Sequence, residues 1–167
     1  HVEWNSLSNG YTEVFVTVND LAGNITDNYL FTILKDAILP EYHDNQSISN
    51  DWYSNNNYPD EWINEVMVTF DDSGSSKIYR IEYGVSSSIL SDISWYTITD
   101  CENISQGARF NEFYNTWPIS WNVLTNGVNE IYVSINDFAL NTTSGYVFTV
   151  SKDIITPHLV NNEQDNP

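Results

Sequence analysis

Residues 121–157 read WNVLTNGVNEIYVSINDFALNTTSGYVFTVSKDIITP, and the rhythm of their apolar side chains decides the fold. From Glu130 to Asn136, Ile131, Val133 and Ile135 share one face while Tyr132 and Ser134 share the other, which is the period of a half-buried strand. A second alternation sets Tyr146, Phe148 and Val150 against Val147 and Thr149. The intervening NDFALNTTSG is rich in side chains that bond their own backbone or tolerate left-handed conformations, so it reads as a hairpin loop. Asn126-Gly127 is a strong turn pair just before the first strand.

The same segment occurs twice. Trp4 to Pro40, WNSLSNGYTEVFVTVNDLAGNITDNYLFTILKDAILP, aligns with it without a gap at an offset of 117 residues, and about half of the 37 positions are identical. In this copy Val14, Val16 and Val18 alternate first, then Tyr29, Phe31 and Ile33 against Leu30 and Thr32, around the loop NDLAGNITDN. An offset of this size is that of a small domain, so the repeat marks whole folded units in tandem. Residues 1–40 are then the C-terminal part of one unit, residues 41–157 a complete unit, and residues 158–167 a linker or the start of another. A complete unit can bury a core unaided. Residues 1–40, about three strands' worth of chain, expose their apolar face and need a covering partner.

Within the complete unit further strands are expected at Ile63–Phe70, Lys77–Gly84 and Trp95–Thr99 and around Arg109–Phe113. Gly74 marks the tip of a turn over Asp71–Ser76, and Val85–Ile93 allows at most a short helical turn. The polar Glu41–Pro59 reads as an opening loop or edge strand. About seven short strands separated by such turns predict an all-β, antiparallel sandwich.

The constellation W-N-x-L-x-N-G, x-E-[VI]-[FY]-V, N-D-x-A-x-N, Y-x-F-T and K-D-x-x-x-P resembles the immunoglobulin-like (Ig-like) repeats of prokaryotic cell-surface proteins, in particular the Asn- and Tyr-rich tandem repeats of large archaeal ones. The likeness covers the last third of each unit; residues 41–115 share only the strand rhythm. It implies an extracellular, surface-located scaffold: a stalk, an adhesin, a surface-layer part or a filament subunit. The uncovered residues 1–40 point to neighbouring repeats or identical subunits as partners that complete the sheet by strand addition, as in filaments, and glycans or another cell surface are the further partners expected. The second copy departs from the first at Leu140, where the first has Gly23. A left-handed residue there would strain leucine, so the two loops are expected to differ in shape.

The chain carries 5 basic and 23 acidic residues, a net charge of −18, which disfavours nucleic acid and anionic membranes as partners. No apolar run is long enough for a membrane span and no leader is evident. Cys101 is the single cysteine, so no disulfide forms within the chain, and it reads as a small buried hydrophobe. Catalysis finds little support: His1, His43 and His158 sit in polar or terminal positions, without a nucleophile elbow or metal-binding His spacing.

Asp20, Asn24 and Asp36, with their counterparts Asp137, Asn141 and Asp153, are the candidate metal ligands, because hard cations such as calcium take carboxylate and amide oxygens. The resemblance also implies calcium in such loops at domain junctions. The same residues can simply close turns by bonding local amides. Asp71 and Asp72 with Ser73 form a separate acidic turn for which a metal is less expected. Asn24, Asn45, Asn103 and Asn141 open N-x-S/T sequons, the number chance alone predicts at about four, all in expected loops. Trp52, Trp62 and Trp95, with Trp117, offer flat faces for a glycan platform, although aromatic side chains more often fill cores and interfaces. Trp4 and Trp121 recur and are expected to pack under the following hairpin.

Overall fold

The computed structural model describes residues 2–45, 52–54, 62–74, 76–87, 92–100 and 112–159. The fold is all-β, antiparallel sheets packed as a sandwich. The two copies of the repeat form hairpins in the same register: β1 (Gly10–Asn19) with β2 (Ile25–Lys35), and β11 (Gly127–Asp137) with β12 (Thr142–Asp153). Between them lie β3 (Glu41–Asp44), β4 (Trp52–Ser54), β5 (Trp62–Val66), β6 (Val68–Asp71), β7 (Ile78–Ser87), β8 (Ser94–Asp100), β9 (Glu112–Phe113) and β10 (Trp117–Ser120). The largest sheet has the order β4-β12-β11-β7-β8, and β3-β6-β9 and β5-β10 form two smaller ones. Pairing is antiparallel throughout these except for the short edge strand β4, which runs parallel to β12.

One hydrophobic cluster closes the complete unit. Ile78, Ile81 and Val85 of β7, Ile131, Val133 and Ile135 of β11, and Phe148 and Val150 of β12 form it together with Val68 and Phe70 of β6 and with Trp117 and Ile119 of β10. Burying each such side chain contributes about 1.5–3 kcal/mol. The first hairpin has the same apolar pattern and none of this cover: Phe15, Val16, Val18, Tyr29 and Phe31 are exposed. Two strands form there, where the chain length suggested about three.

Three local features depart from the alternation read in the sequence. A bulge in β12 opposite Ile131 and Tyr132 reverses the facing of Tyr146, which meets Tyr132 edge-to-face on the outer surface while Phe148 and Val150 point inward. The same bulge and the same edge-to-face pair, Phe15 with Tyr29, recur in the first hairpin. The expected strand Ile63–Phe70 breaks at the exposed Met67, where the chain changes sheets: β5 pairs with β10, and β6 with β3 and β9. Of the segment Val85–Ile93, where at most a short helical turn is expected, residues 85–87 continue β7 as strand, and residues 88–91 lie outside the described residues. Of the expected strand around Arg109, only Glu112–Phe113 falls within the described residues. Glu41–Asp44 is an edge strand, one of the two forms expected for the polar opening segment. The alternation gives no sign of β10, because four residues containing Pro118 carry too little periodicity.

A buried polar knot fixes the entry to β11. Asn129, fully buried, accepts from the Thr125 backbone N–H and hydroxyl and donates to the carbonyls of Thr125, Gly127 and Val150. A lysine fixes the exit from β12. Lys152 Nζ donates to the carbonyls of Trp121 (2.9 Å) and Leu124 (3.0 Å) and lies 4.5 Å from the Trp121 ring centre. It therefore caps the 3-10 turn Trp121–Val123 and clips both ends of the hairpin together. Burial lowers its pKa from the ordinary lysine value. Lys35 makes the same bonds to Trp4 and Leu7, but Trp4 is 53 % exposed where Trp121 is 7 % exposed. Trp121 thus packs as expected, and Trp4 does not. Replacing Lys152 by Met should destabilise the chain by about 2–4 kcal/mol in urea unfolding, because two buried carbonyls lose a charged donor. Lys35→Met, at the same contact in water, should cost less than about 1 kcal/mol.

Candidate inter-unit carboxylate site

The loop closing each hairpin has one shape. In the second copy Asp137 N–H donates to the Asn141 carbonyl and Leu140 N–H to the Asp137 carbonyl; Asp20, Gly23 and Asn24 repeat both bonds. The Asp side chain then receives the Asn backbone N–H, at 2.8 Å in both copies, and the Asn amide at 2.6–2.7 Å. For Asp20, those bonds from Asn24 hold the carboxyl below its ordinary range. Gly23 and Leu140 both adopt positive φ, 85° and 67°, so the expected difference in loop shape is absent: Leu140 accepts the strain and the loop keeps its form.

The linker after each hairpin also has one shape. Asp36 accepts from the Ile38 N–H at 3.0 Å, and Asp153 from the Ile155 N–H at 2.8 Å. The surroundings of the two differ. Asp153 is exposed, whereas Asp36 is inserted into the complete unit, where its Oδ2 accepts from Ser76 N–H at 2.6 Å. The Asn141 amide donates to the carbonyls of Asp36 and Ile38 as well as to Asp137. A glycan on that nitrogen would break this dock.

Asp72 joins the same place. It lies in the β6–β7 loop, which is tied to the hairpin loop by Phe138 N–H donating to the Lys77 carbonyl at 3.0 Å. Carboxylate oxygens of Asp36, Asp72 and Asp137 lie within 4.8 Å of one another, and all three residues are buried. Asp72 is only 2 % exposed; its Oδ1 accepts from Gly74 N–H, and its Oδ2 has no hydrogen-bond partner. Gly74 is needed by proximity: a Cβ there would collide with the Asp36 carboxylate and come within 2.8 Å of Asp72 Oδ1. At this separation each pair of ionised carboxylates repels by roughly 3 kcal/mol at an effective dielectric constant near 20. Burial, and then the charges of Asp36 and Asp137, push the Asp72 carboxyl up, against the Gly74 and Lys77 N–H groups that favour its ionised form.

The six sequence-predicted ligands therefore divide. Asp36, Asp137 and Asn141 come together, Asp20 with Asn24 closes the exposed hairpin loop, and Asp153 stands at the far end of the complete unit. That end is about 35 Å from Asp137 by the length of the hairpin. Asp72, weighed with Asp71 as a separate turn, is the member that sequence reasoning placed elsewhere; a loop 65 residues upstream of Asp137 gives no local signal of the meeting. Asp71 instead faces His43 across the β3–β6 pair, 3.3 Å from its Nε2.

Of the aromatic candidates, Trp117 is 2 % exposed, stacks on Tyr83 and donates to the Val68 carbonyl, so it belongs to the core. Trp95 is exposed on the edge strand β8, and Trp52 lies on β4 at the opposite edge of the same sheet, while Trp62 belongs to the β5-β10 pair. The strand order thus sets Trp52 and Trp95 about 19 Å apart across the sheet, too far for a single stacking platform. Among the sequons, Asn24 closes its loop, Asn45 follows β3 and is exposed, and Asn103 lies outside the described residues, as does Cys101. No helix among the described residues is long and apolar enough to cross a membrane. In comparison with known proteins, no family model and no curated protein matches the chain.

Two measurements check the local geometry. Leu140→Gly should raise stability by about 0.5–1 kcal/mol, since the relief of a left-handed leucine exceeds the added freedom of the unfolded chain. Asp72 has a folded pKa above its ordinary 3.8, so its contribution is fully present below pH 3.8 and is lost as pH rises through the folded value. With chelator present, the melting temperature of the wild type relative to Asp72→Asn should therefore fall as the pH is raised from 4 towards 7.

Proposed function

We propose that this chain is a segment of an Ig-like tandem array with a structural or adhesive role on the surface of a prokaryotic, archaeal cell. The observation that supports it best is the insertion of Asp36: the segment leaving one copy of the repeat is a structural part of the next unit. Units joined in this way hold a set angle, which suits a stalk, a surface layer or a filament and requires no catalysis. The strands would carry load along ladders of backbone hydrogen bonds. An occupied sequon at the exposed Asn45 would suit an exported protein, whereas the Asn24 amide, like that of Asn141, is engaged by its loop aspartate.

The uncovered first hairpin belongs to the same reading. Its counterpart, β11–β12, has β7 on one edge and β4 on the other. Strands of that kind, from a neighbouring repeat or an identical subunit, would complete β1–β2 by strand addition. A carbohydrate-binding module is the second reading, favoured by the exposed Trp95 beside Tyr96 at one sheet edge. Glycan-array binding abolished by Trp95→Ala at unchanged thermal stability would support it.

An antibody against this chain should label intact cells of the source organism without permeabilisation; label confined to the cell interior would overturn the surface reading. Mechanical extension of the native full-length protein should give evenly spaced unfolding steps. Each step releases one 117-residue unit, roughly 400 Å of contour length at about 3.5 Å per residue. A single irregular rupture would argue against a tandem array.

A further inference from the structure

We propose that Asp36, Asp72 and Asp137 bind one calcium ion at the junction between consecutive units, so that the linker of one unit and two loops of the next share a ligand set. The inference rests on the tandem reading and adds to it a cation dependence of the joint.

Three features carry it. The carboxylates come from three separate segments: the linker after β2, the β6–β7 loop and the β11–β12 loop. They converge in a buried place, with Asp137 fully buried and Asp36 9 % exposed. Buried charges in proteins are paired or coordinate metals, and three acids cannot pair one another. Hydrogen bonding within the site is incomplete. Asp72 Oδ2 is buried without a partner, and so is the hydroxyl of Ser76, whose N–H holds Asp36. The spacing also fits: two oxygens on opposite sides of a calcium ion stand about 4.8 Å apart at ordinary bond lengths of about 2.4 Å. The three acids lie within that span. Hard oxygen donors without histidine or cysteine favour calcium over transition metals, and the irregular, loop-borne arrangement favours it over magnesium, which demands a strict octahedron.

The repeat extends the site along the array. Asp153 already holds the turn geometry of Asp36, so it is preset to enter the following unit; the Asp20–Asn24 loop is preset to receive the linker aspartate of the unit before it. Each joint then has one cation, and each unit contributes to two.

Calorimetric titration of the chelator-treated 167-residue chain with calcium chloride at pH 7 should give one site, and saturating calcium should raise the melting temperature by roughly 5–10 °C. Asp72→Asn should abolish both effects yet melt at or above the wild-type temperature in chelator, because it removes a repelling charge. Asp36→Asn, in the linker, should also lose the calcium response and gives the same reading if the first variant fails to fold. Asp153→Asn should bind as the wild type does. Absence of a calcium response, or a response that survives both Asp36→Asn and Asp72→Asn, overturns the inference. So does stabilisation by acid alone with no effect of calcium, which would mean that the carboxylates share a proton. Evenly spaced unfolding steps that persist in any of these cases would leave the tandem reading standing.

Discussion

Ile131, Val133 and Ile135 must leave water together, because the pleat of β11 places them on one face and the turn chemistry on either side holds that face in register. β7 hydrogen-bonds along the strand edge, and β6 and β10 cover the face from the opposite layer. The first hairpin lacks that cover. It keeps the register, the bulge, the loop and even the lysine clip, yet its aromatic and β-branched side chains remain in water. Local chemistry is therefore enough to shape the hairpin, while the unit is stable only as a two-layer sandwich.

The polar groups at the two ends of the hairpin do different work. At one end Asn129 and Lys152 satisfy carbonyls that the 3-10 turn and the strand start would leave buried and unpaired, and every contact is made within one unit. At the other end Asp137 and Asn141 close their own loop and then face outward to the preceding linker. One hairpin thus has a closed end whose polar groups are satisfied by its own flanking turn and strand, and an open end that bonds the linker leaving the first hairpin.

The joint concentrates like charge. A chain of net charge −18 gathers three carboxylates in a buried place, where repulsion and desolvation act together, and it does so with the close approach of Gly74. Such an arrangement is unfavourable unless a proton or a cation enters it.

Much of the fold was legible in the sequence, because pleat and turn are local. Alternation revealed β11, β12 and most of β7 and β8, the repeat marked two hairpins of one register, and Asn-Gly and N-D-x-A-x-N located the turns. The facing of Tyr146, the break at Met67 and the strand Trp117–Ser120 were not, since a bulge, a change of sheet and a short proline-containing strand are settled by neighbouring strands. The site divides in the same way. Its loop residues Asp137 and Asn141 and its linker residue Asp36 were visible as repeated motifs. That Asp72 completes the set, and that Asp36 belongs to the unit after its own, was decided only by tertiary structure, because the meeting of a linker with two loops far apart in the chain depends on how two sheets pack and leaves no mark on local spacing.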